Sequence, residues 1–466
     1  MGSASPLKGF TVRRKNHELV RPARPTPIET KPLSDIDDQD GVRFHISNIH
    51  FYRKRPTVVG GGNDDPAKVI KAALAETLVY YYPFAGRLRE EAGRKLVVDC
   101  TGEGVLFAEA DADVTLDDFG EELQPPFRGL DELLFNVPDN CGILYSPLLF
   151  IQVTRLRCGG FVLTYILNHT MADGAGMVQF MSAVAEIARG ASAPSVTPVW
   201  MRHLLRARDP PRITCAHPEY DPIPDTSKPI LLPLEHMVCR SFFFSQAEIS
   251  ALRSSLPPHL RSKCSNFEIL SACLWRCRTA ALQLEPDQQV RLLCIINARS
   301  KFKPFPRGYY GNVLATPAAV TTARKLVNNP LAYAAELVMK AKSEVTEEYM
   351  QSNADLVVLR GRPSVNLATA YMVSDLTRSG FDEVDFGWGK PIFAGPAISM
   401  NPVVGVIGFY IPKKNSKGVN GMVVPVCLPE FAMQRFIDQI EMILSKVESE
   451  GDEGDNDFSL NLRSAL

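Results

Sequence analysis

The chain has 466 residues, 45% of them hydrophobic and 22% charged, with 51 basic side chains against 52 acidic ones. That length exceeds one ordinary core and calls for two domains of roughly 200 residues each. The balanced charge provides no general attraction to nucleic acid or anionic membranes, and no apolar run reaches the ~18 residues that a spanning helix needs.

The first 30 residues read as an extended, Pro-marked arm. They carry Arg13, Arg14, Lys15, Arg21 and Arg24 but no apolar segment, so no secretory leader is expected and a cytoplasmic location follows. Ten cysteines occur without a CxxC pair, which fits reduced thiols. Residues 66–80 space Val69, Ile70, Ala73, Leu74 and Leu78 for a helix that Pro83 stops. Residues 95–99 and 103–108 read as a hairpin around Thr101-Gly102. Two buried strands follow at 148–157 and 161–168, divided by Gly159-Gly160. A helix is expected over 175–189, with Met177, Val178, Met181, Val184, Ala185 and Ala188 inward and Gly190 closing it.

Seven prolines between 206 and 233 exclude regular structure there and mark an interdomain crossover. The chain thus divides into residues 1–205, a linker at 206–235, and residues 236–466. In the second half, strands are expected at 238–244, 290–296, 403–411 and 423–428. Helices are expected at 245–255, 266–282, 331–350 and 430–446. The acidic tail 448–457 reads as disordered. Mixed strands and helices in two similar halves give an α/β or α+β protein.

A search for a catalytic base begins with the eight histidines. His169 and Asp173 form a His-x-x-x-Asp pattern where the apolar strand 161–168 ends and a helix begins. Chance alone supplies about 0.5 such matches in this composition, and a second, His217 to Asp221, lies in the Pro-rich crossover, where nothing local fixes its geometry. Strand-end placement favours His169 as a side chain held in a cleft. Asp173 directly precedes a helix and is suited to be its N-cap, so a His–Asp dyad is not assumed. Asp385-Phe386-Gly387-Trp388-Gly389 reads as a tight packing loop. Lys263, Ser265 and Asn266 stand at the start of the helix expected at 266–282, where backbone N–H groups and a cation attract phosphate. No HExxH, P-loop, Cys/His ligand cluster or GxSxG elbow is present, so zinc proteolysis, P-loop chemistry and serine hydrolysis lack support, and no metal is expected.

His169-Thr170-Met171-Ala172-Asp173-Gly174 together with Asp385-Phe386-Gly387-Trp388-Gly389 resembles the two signatures of the plant BAHD acyltransferases. Within that family the chain is most similar to the alcohol acyltransferases, through Thr26–Thr30, Leu33–Gln39, Ala207–Arg212 and Phe381–Val384. The resemblance implies two chloramphenicol-acetyltransferase-like domains enclosing a channel. It implies an acyl-CoA donor, a small alcohol such as benzyl alcohol as acceptor, and a monomer without a permanently bound cofactor. His169 would be the general base. Ser374 matches a position where relatives place a hydroxyl near the reacting carbonyl, a solvent-facing strand serine being the alternative. Lys263, Ser265 and Asn266 match the segment that binds CoA. Arg299 would pair with Asp173, with a contribution to the CoA 3′-phosphate beside Lys301, Lys303 and Arg307 as its alternative. The DFGWG loop would be structural. Leu376 stands where shikimate-using relatives carry tryptophan, and Arg378 is the one nearby cation for a carboxylate acceptor. Hydroxycinnamoyl- or anthraniloyl-CoA with another alcohol or an amine stays open, as does a non-catalytic acyl-CoA-binding protein.

Overall fold

A computed structural model describes residues 9–55, 65–120, 122–135, 137, 142–222, 236–367, 369–397 and 407–449. The first half holds β1 (Val12–Arg14), β2 (Glu18–Val20), β3 (Thr30–Pro32), β4 (His45–Tyr52), α1 (Pro66–Tyr80), β5 (Arg87–Glu90), β6 (Leu96–Asp99) and β7 (Val105–Ala112). The short α2 (Leu130–Leu133), then β8 (Leu149–Leu156), β9 (Phe161–Asn168) and α3 (Gly174–Ala188) complete it. The second half opens with β10 (Met237–Ser245), α4 (Gln246–Ser254), α5 (Pro258–Arg261), α6 (Asn266–Leu282) and β11 (Gln289–Asn297). It continues through β12 (Leu314–Ala315), β13 (Ala318–Thr322), α7 (Ala323–Asn328), α8 (Leu331–Ser343) and α9 (Glu347–Leu359). It ends with β14 (Ala370–Asp375), β15 (Phe393–Pro396), β16 (Ile407–Lys414), β17 (Asn420–Pro429) and α10 (Glu430–Ser449).

Two mixed seven-stranded sheets organise these elements. The first runs β1-β7-β8-β9-β4-β15, with β2 also on β7. The second runs β10-β17-β16-β14-β11-β12, with β13 also on β11. β15 crosses the division expected at 206–235, because it comes from the second half yet pairs with β4 of the first sheet. One apolar cluster joins the two sheets, with Ile49, Phe51 and Phe393 beside Phe409 and Ile411. Each half also has its own core. α1 and α3 contribute Ile70, Leu74, Met177 and Met181 to the first, and α6, α8 and α10 contribute Leu270, Val338 and Phe436 to the second.

Strong periodicity predicted its elements well: α1, α3, α6 and the β8–β9 pair lie where expected. Three expectations change. The 95–108 hairpin does not form, because β6 pairs with β3 and β5 while β7 pairs with β1, β2 and β8. Alternation sets which face of a strand is buried and leaves its partner open. The helix expected at 331–350 is two helices. Thr346 caps α9 by accepting from Tyr349 N at 3.1 Å, which ends the preceding run. Cys239 and Cys427 are disulfide-bonded rather than both reduced, because β10 and β17 set them directly opposite with Cα atoms 4.1 Å apart. Most of the acidic tail, 450–457, and residues 403–406 of one expected strand lie outside the described residues.

Candidate active site

β9 delivers His169 to a cavity of about 600 Å³ whose walls come from both sheets. The first sheet supplies Ile46, Asn48 and Leu167, and the second supplies Ile295, Met372 and Ser374. The backbone of His169 is anchored at both ends. Its N–H donates to Phe44 O at 2.9 Å, and its carbonyl accepts from Asn312 Nδ2 at 2.9 Å. Phe44 lies against the imidazole with ring centroids 5.2 Å apart. Burial lowers the pKa of the ring, although its own carbonyl, the Asp173 charge and the Asn312 side chain oppose the shift. The imidazole is therefore neutral at pH 7 and can accept a proton from a group in the cavity.

Asp173 does two structural jobs. It caps α3 by accepting from Gly176 N at 2.9 Å. It also meets Arg299 in a two-pronged pair of 2.7 and 2.9 Å and accepts from Val313 N at 3.0 Å. None of these bonds goes to the His169 ring. Burial pushes the Asp173 carboxyl up, but the Arg299 charge and the hydrogen bonds outweigh it and hold the pKa below the usual carboxylate value. The expected Asp173–Arg299 pair is thus present, and the Arg299 guanidinium is committed to it. A side chain at position 176 would put its Cβ 2.0 Å from Tyr310 O, so glycine is needed for the start of α3 to approach segment 309–313.

Ser374 lines the same cavity from β14, 8% exposed, and Leu376 and Arg378 follow along its rim. No ion pair of Arg378 is present among the described residues, whereas Arg43, on the cavity wall too, is engaged by Asp38 and Glu90 at 2.6 Å each. Lys263, Ser265 and Asn266 stand exposed at the start of α6 and do not line the cavity. Ser265 is used in a capping box with Glu268, and Asn266 accepts from Arg253 at 2.7 Å. No side-chain hydrogen bond or ion pair of Lys263 is present among the described residues. Asp385 folds its loop by accepting from Gly387 N at 2.7 Å and Gly389 N at 2.9 Å. Both glycines have positive φ, 102° and 84°, and Trp388 packs on Phe161, away from the cavity.

The second His-x-x-x-Asp segment corrects an expectation. His217 is held firmly, with Nδ1 3.0 Å from Glu219 Oε1 and Nε2 2.9 Å from Ser352 Oγ. The trio has the arrangement of a hydrolytic triad, but Ser352 is fully buried and accepts from Thr214 N and Cys215 N at 3.0 Å. It fastens the crossover to α9 and offers no reachable nucleophile.

Sequence reasoning missed the layer beneath His169. Asp37 and Arg202 are buried and joined at 2.7 Å, and Asn312 donates to Asp37 from both its backbone and its side chain. The Leu33–Gln39 segment marked Asp37 only as part of a resemblance. Gly311 between Tyr309-Tyr310 and Asn312-Val313 was the available signal, since a Cβ there would strike the Arg202 guanidinium at 1.8 Å.

The Transferase family model matches residues 10–443. Benzyl alcohol O-benzoyltransferase of Petunia hybrida is 61% identical over 437 residues, covering 93% of this chain and 94% of the relative. The Nicotiana tabacum protein of the same name is 62% identical over 437 residues, with the same coverage of 93% and 94%. Alcohol acyl transferase 1 (allele GSa) of Malus domestica is 51% identical over 464 residues, 98% of each chain. Among solved structures, vinorine synthase superposes with a TM-score of 0.68 at 21% identity, covering 93% of this chain and 98% of that one. F. sporotrichioides TRI101, complexed with coenzyme A and T-2, gives 0.68 at 18% identity over 90% of this chain and 98% of that one. These two share the fold, two chloramphenicol-acetyltransferase-like halves around a common cavity. Matched along nearly its whole length by the family model and by acyltransferases more than half identical to it, the chain belongs to the Transferase family and is a BAHD acyl-CoA-dependent O-acyltransferase.

Proposed function

We propose that this enzyme transfers a benzoyl, related aromatic or short-chain acyl group from acyl-CoA to a small alcohol such as benzyl alcohol, with His169 as general base. The observation that carries the reading is the buried His169 imidazole on the wall of a cavity otherwise rich in apolar side chains, where burial lowers its pKa and favours the neutral ring. An alcohol whose ring lies among Ile46, Leu376 and Phe409 can present its hydroxyl to His169. As the alcohol oxygen attacks the thioester carbonyl, its proton moves to the imidazole. The tetrahedral oxyanion needs a donor, and the Ser374 hydroxyl is the candidate. Collapse breaks the C–S bond, and the imidazolium returns the proton to the leaving sulfur, giving ester and free CoA. Acid–base help of this kind is worth about 10²–10⁴-fold.

Lys263 is proposed to hold a CoA phosphate at the start of α6, with Ser265 and Asn266 shaping that helix end rather than contacting the donor through their side chains. Arg299 supports Asp173. The enzyme is proposed to act as a monomer, since residues of both sheets of one chain line the cavity. Burying a benzyl-sized group gives only about 1.5–3 kcal/mol, so loose selection among small alcohols is expected.

Arg378 favours a second reading. A cation at the cavity rim suits an acceptor that carries a carboxylate. Competition of benzyl alcohol, short aliphatic alcohols and shikimate for benzoyl-CoA, read by product mass, separates the two. Benzyl esters should dominate, and a kcat/KM for shikimate far above that for benzyl alcohol would overturn the first reading.

A further inference from the structure

Among the described residues, four buried polar side chains line the cavity: Gln39, Asn48, Asp173 and Ser374. Three of them have a partner or a role. Gln39 donates from Nε2 to Ile36 O at 3.0 Å, and its Oε1 accepts from the Tyr220 hydroxyl at 3.0 Å. Asp173 holds Arg299, and Ser374 is the candidate oxyanion donor. Asn48 is 4% exposed, and no side-chain hydrogen bond of it is present among the described residues. The hydroxyl of Tyr165, its neighbour across β4 and β9, lies 3.2 Å from His50 Nε2 instead.

A buried amide has two N–H donors and a carbonyl acceptor, and leaving them unpaired is costly. Asn48 therefore calls for a polar group on whatever fills this part of the cavity. Its surroundings are apolar. Ile46 precedes it by two positions on the same face of β4, and Pro396 stands opposite it on β15, both on the cavity wall. The distance from the base follows from register. His169 N–H donates to Phe44 O at 2.9 Å, which sets the level of His169 beside β4. Asn48 lies four positions beyond Phe44, roughly 13 Å along an extended strand. One aromatic ring with a hydroxyl at each end, hydrogen-bonded at both, suits a span of that order.

We propose that Asn48 is a specificity-determining residue of the acceptor pocket, and that the acceptor class is a single-ring alcohol with a second hydroxyl at the end remote from the reacting one. The simplest member is 4-hydroxybenzyl alcohol. This rests on the acyl-transfer reading with His169 as base. The benzylic hydroxyl meets the imidazole, and the phenol meets the Asn48 amide, which can both accept from it and donate to it. Selection by size stays loose, whereas selection at the far end is made by polarity, because an alcohol with a methyl group there strands the amide.

Steady-state benzoylation of 4-hydroxybenzyl alcohol and of 4-methylbenzyl alcohol, the same shape with the hydroxyl replaced, tests the assignment, and NMR of the product locates the ester. With benzoyl-CoA as donor, the wild type should prefer the 4-hydroxy compound in kcat/KM by at least ~10-fold and acylate its benzylic oxygen. Asn48→Leu, of nearly the same shape, should reverse the order. Both alcohols are compared in one preparation, so the ratio does not depend on how much of a variant folds. Where Asn48→Leu gives no active protein, Asn48→Ala serves, with loss of the preference expected. Equal or better use of 4-methylbenzyl alcohol by the wild type overturns the proposal, as does a preference that survives in the variant or an ester on the phenolic oxygen. 4-Hydroxybenzoyl-CoA and 4-methylbenzoyl-CoA, each with benzyl alcohol, probe the donor side. A donor preference that Asn48→Leu abolishes would place the amide against the acyl group and overturn the assignment to the acceptor. If benzyl alcohol and both substituted alcohols are inert, the acyl-transfer reading itself fails. If benzyl alcohol is esterified and the preference is absent, only the role of Asn48 fails.

Discussion

Replacing Asp173 by asparagine separates structure from chemistry at the centre of this site. Asparagine caps a helix as well as aspartate does, so the bond from Gly176 N survives. The loss falls on the other oxygen, which accepts from Arg299 Nη1 at 2.7 Å and from Val313 N at 3.0 Å. An amide there presents donors to donors. Breaking a buried ion pair costs about 3–5 kcal/mol. Asp173 is 1% exposed but the Arg299 side chain is 20% exposed and can recover some water, which places Asp173→Asn near the lower end, at about 3 kcal/mol. Asp173→Ala adds the lost cap, about 1 kcal/mol. Urea unfolding of wild type, Asp173→Asn, Arg299→Gln and the double variant gives the coupling, expected at about 2–3 kcal/mol. The contribution should be present above the unfolded carboxyl value of 3.8 and lost as the pH falls through the lower folded value. Because no Asp173 bond reaches the imidazole, folded Asp173→Asn should keep far more activity than His169→Ala. A coupling near zero, combined with a kcat as low as that of His169→Ala, would show that the carboxylate acts on the chemistry and would refute the structural assignment.

His169→Ala should lower kcat by at least ~10²-fold while acyl-CoA still binds, measured by steady-state kinetics and by calorimetry with a non-transferable donor. Lys263→Ala should raise KM for acyl-CoA with kcat nearly kept, the signature of binding remote from the carbonyl; an unchanged KM would leave it a surface lysine. Gly176→Ala should destabilise the start of α3, since its Cβ would lie 2.0 Å from Tyr310 O; a melting temperature equal to wild type would contradict the packing. His50 is buried in the first sheet, where desolvation lowers its pKa from 6.5 to about 3. Its folded pKa is depressed, so the stability it contributes is full above pH 6.5 and lost as the pH falls toward 3, amounting to about 5 kcal/mol at full extent. His50→Gln should flatten that part of the acid-unfolding curve, and an unchanged curve would argue against a neutral buried ring.

Local order and composition determined a large part of this protein. Helical spacing placed α1, α3 and α6, and unbroken apolar runs placed β8 and β9, because burial of one face imposes a period that needs no knowledge of the partner. The two signature motifs were enough to name the family and, with the strand-end position of His169, to propose it as the base, and the motif pattern anticipated the Arg299 partner of Asp173. Tertiary structure alone decided the rest. Which strand each run joins was undetermined, so residues 95–108 divide between two sheets, and β15 returns to the first sheet from the second half. Register set Cys239 opposite Cys427 across a separation of 188 residues. The His217–Glu219–Ser352 cluster required α9 to be folded against the crossover. The layer under His169 draws Asp37, Arg202 and Asn312 from three distant segments, with 275 positions between the first and the last. A hydrogen bond depends on atoms within about 3 Å, and periodicity carries no information about which remote residue will arrive there.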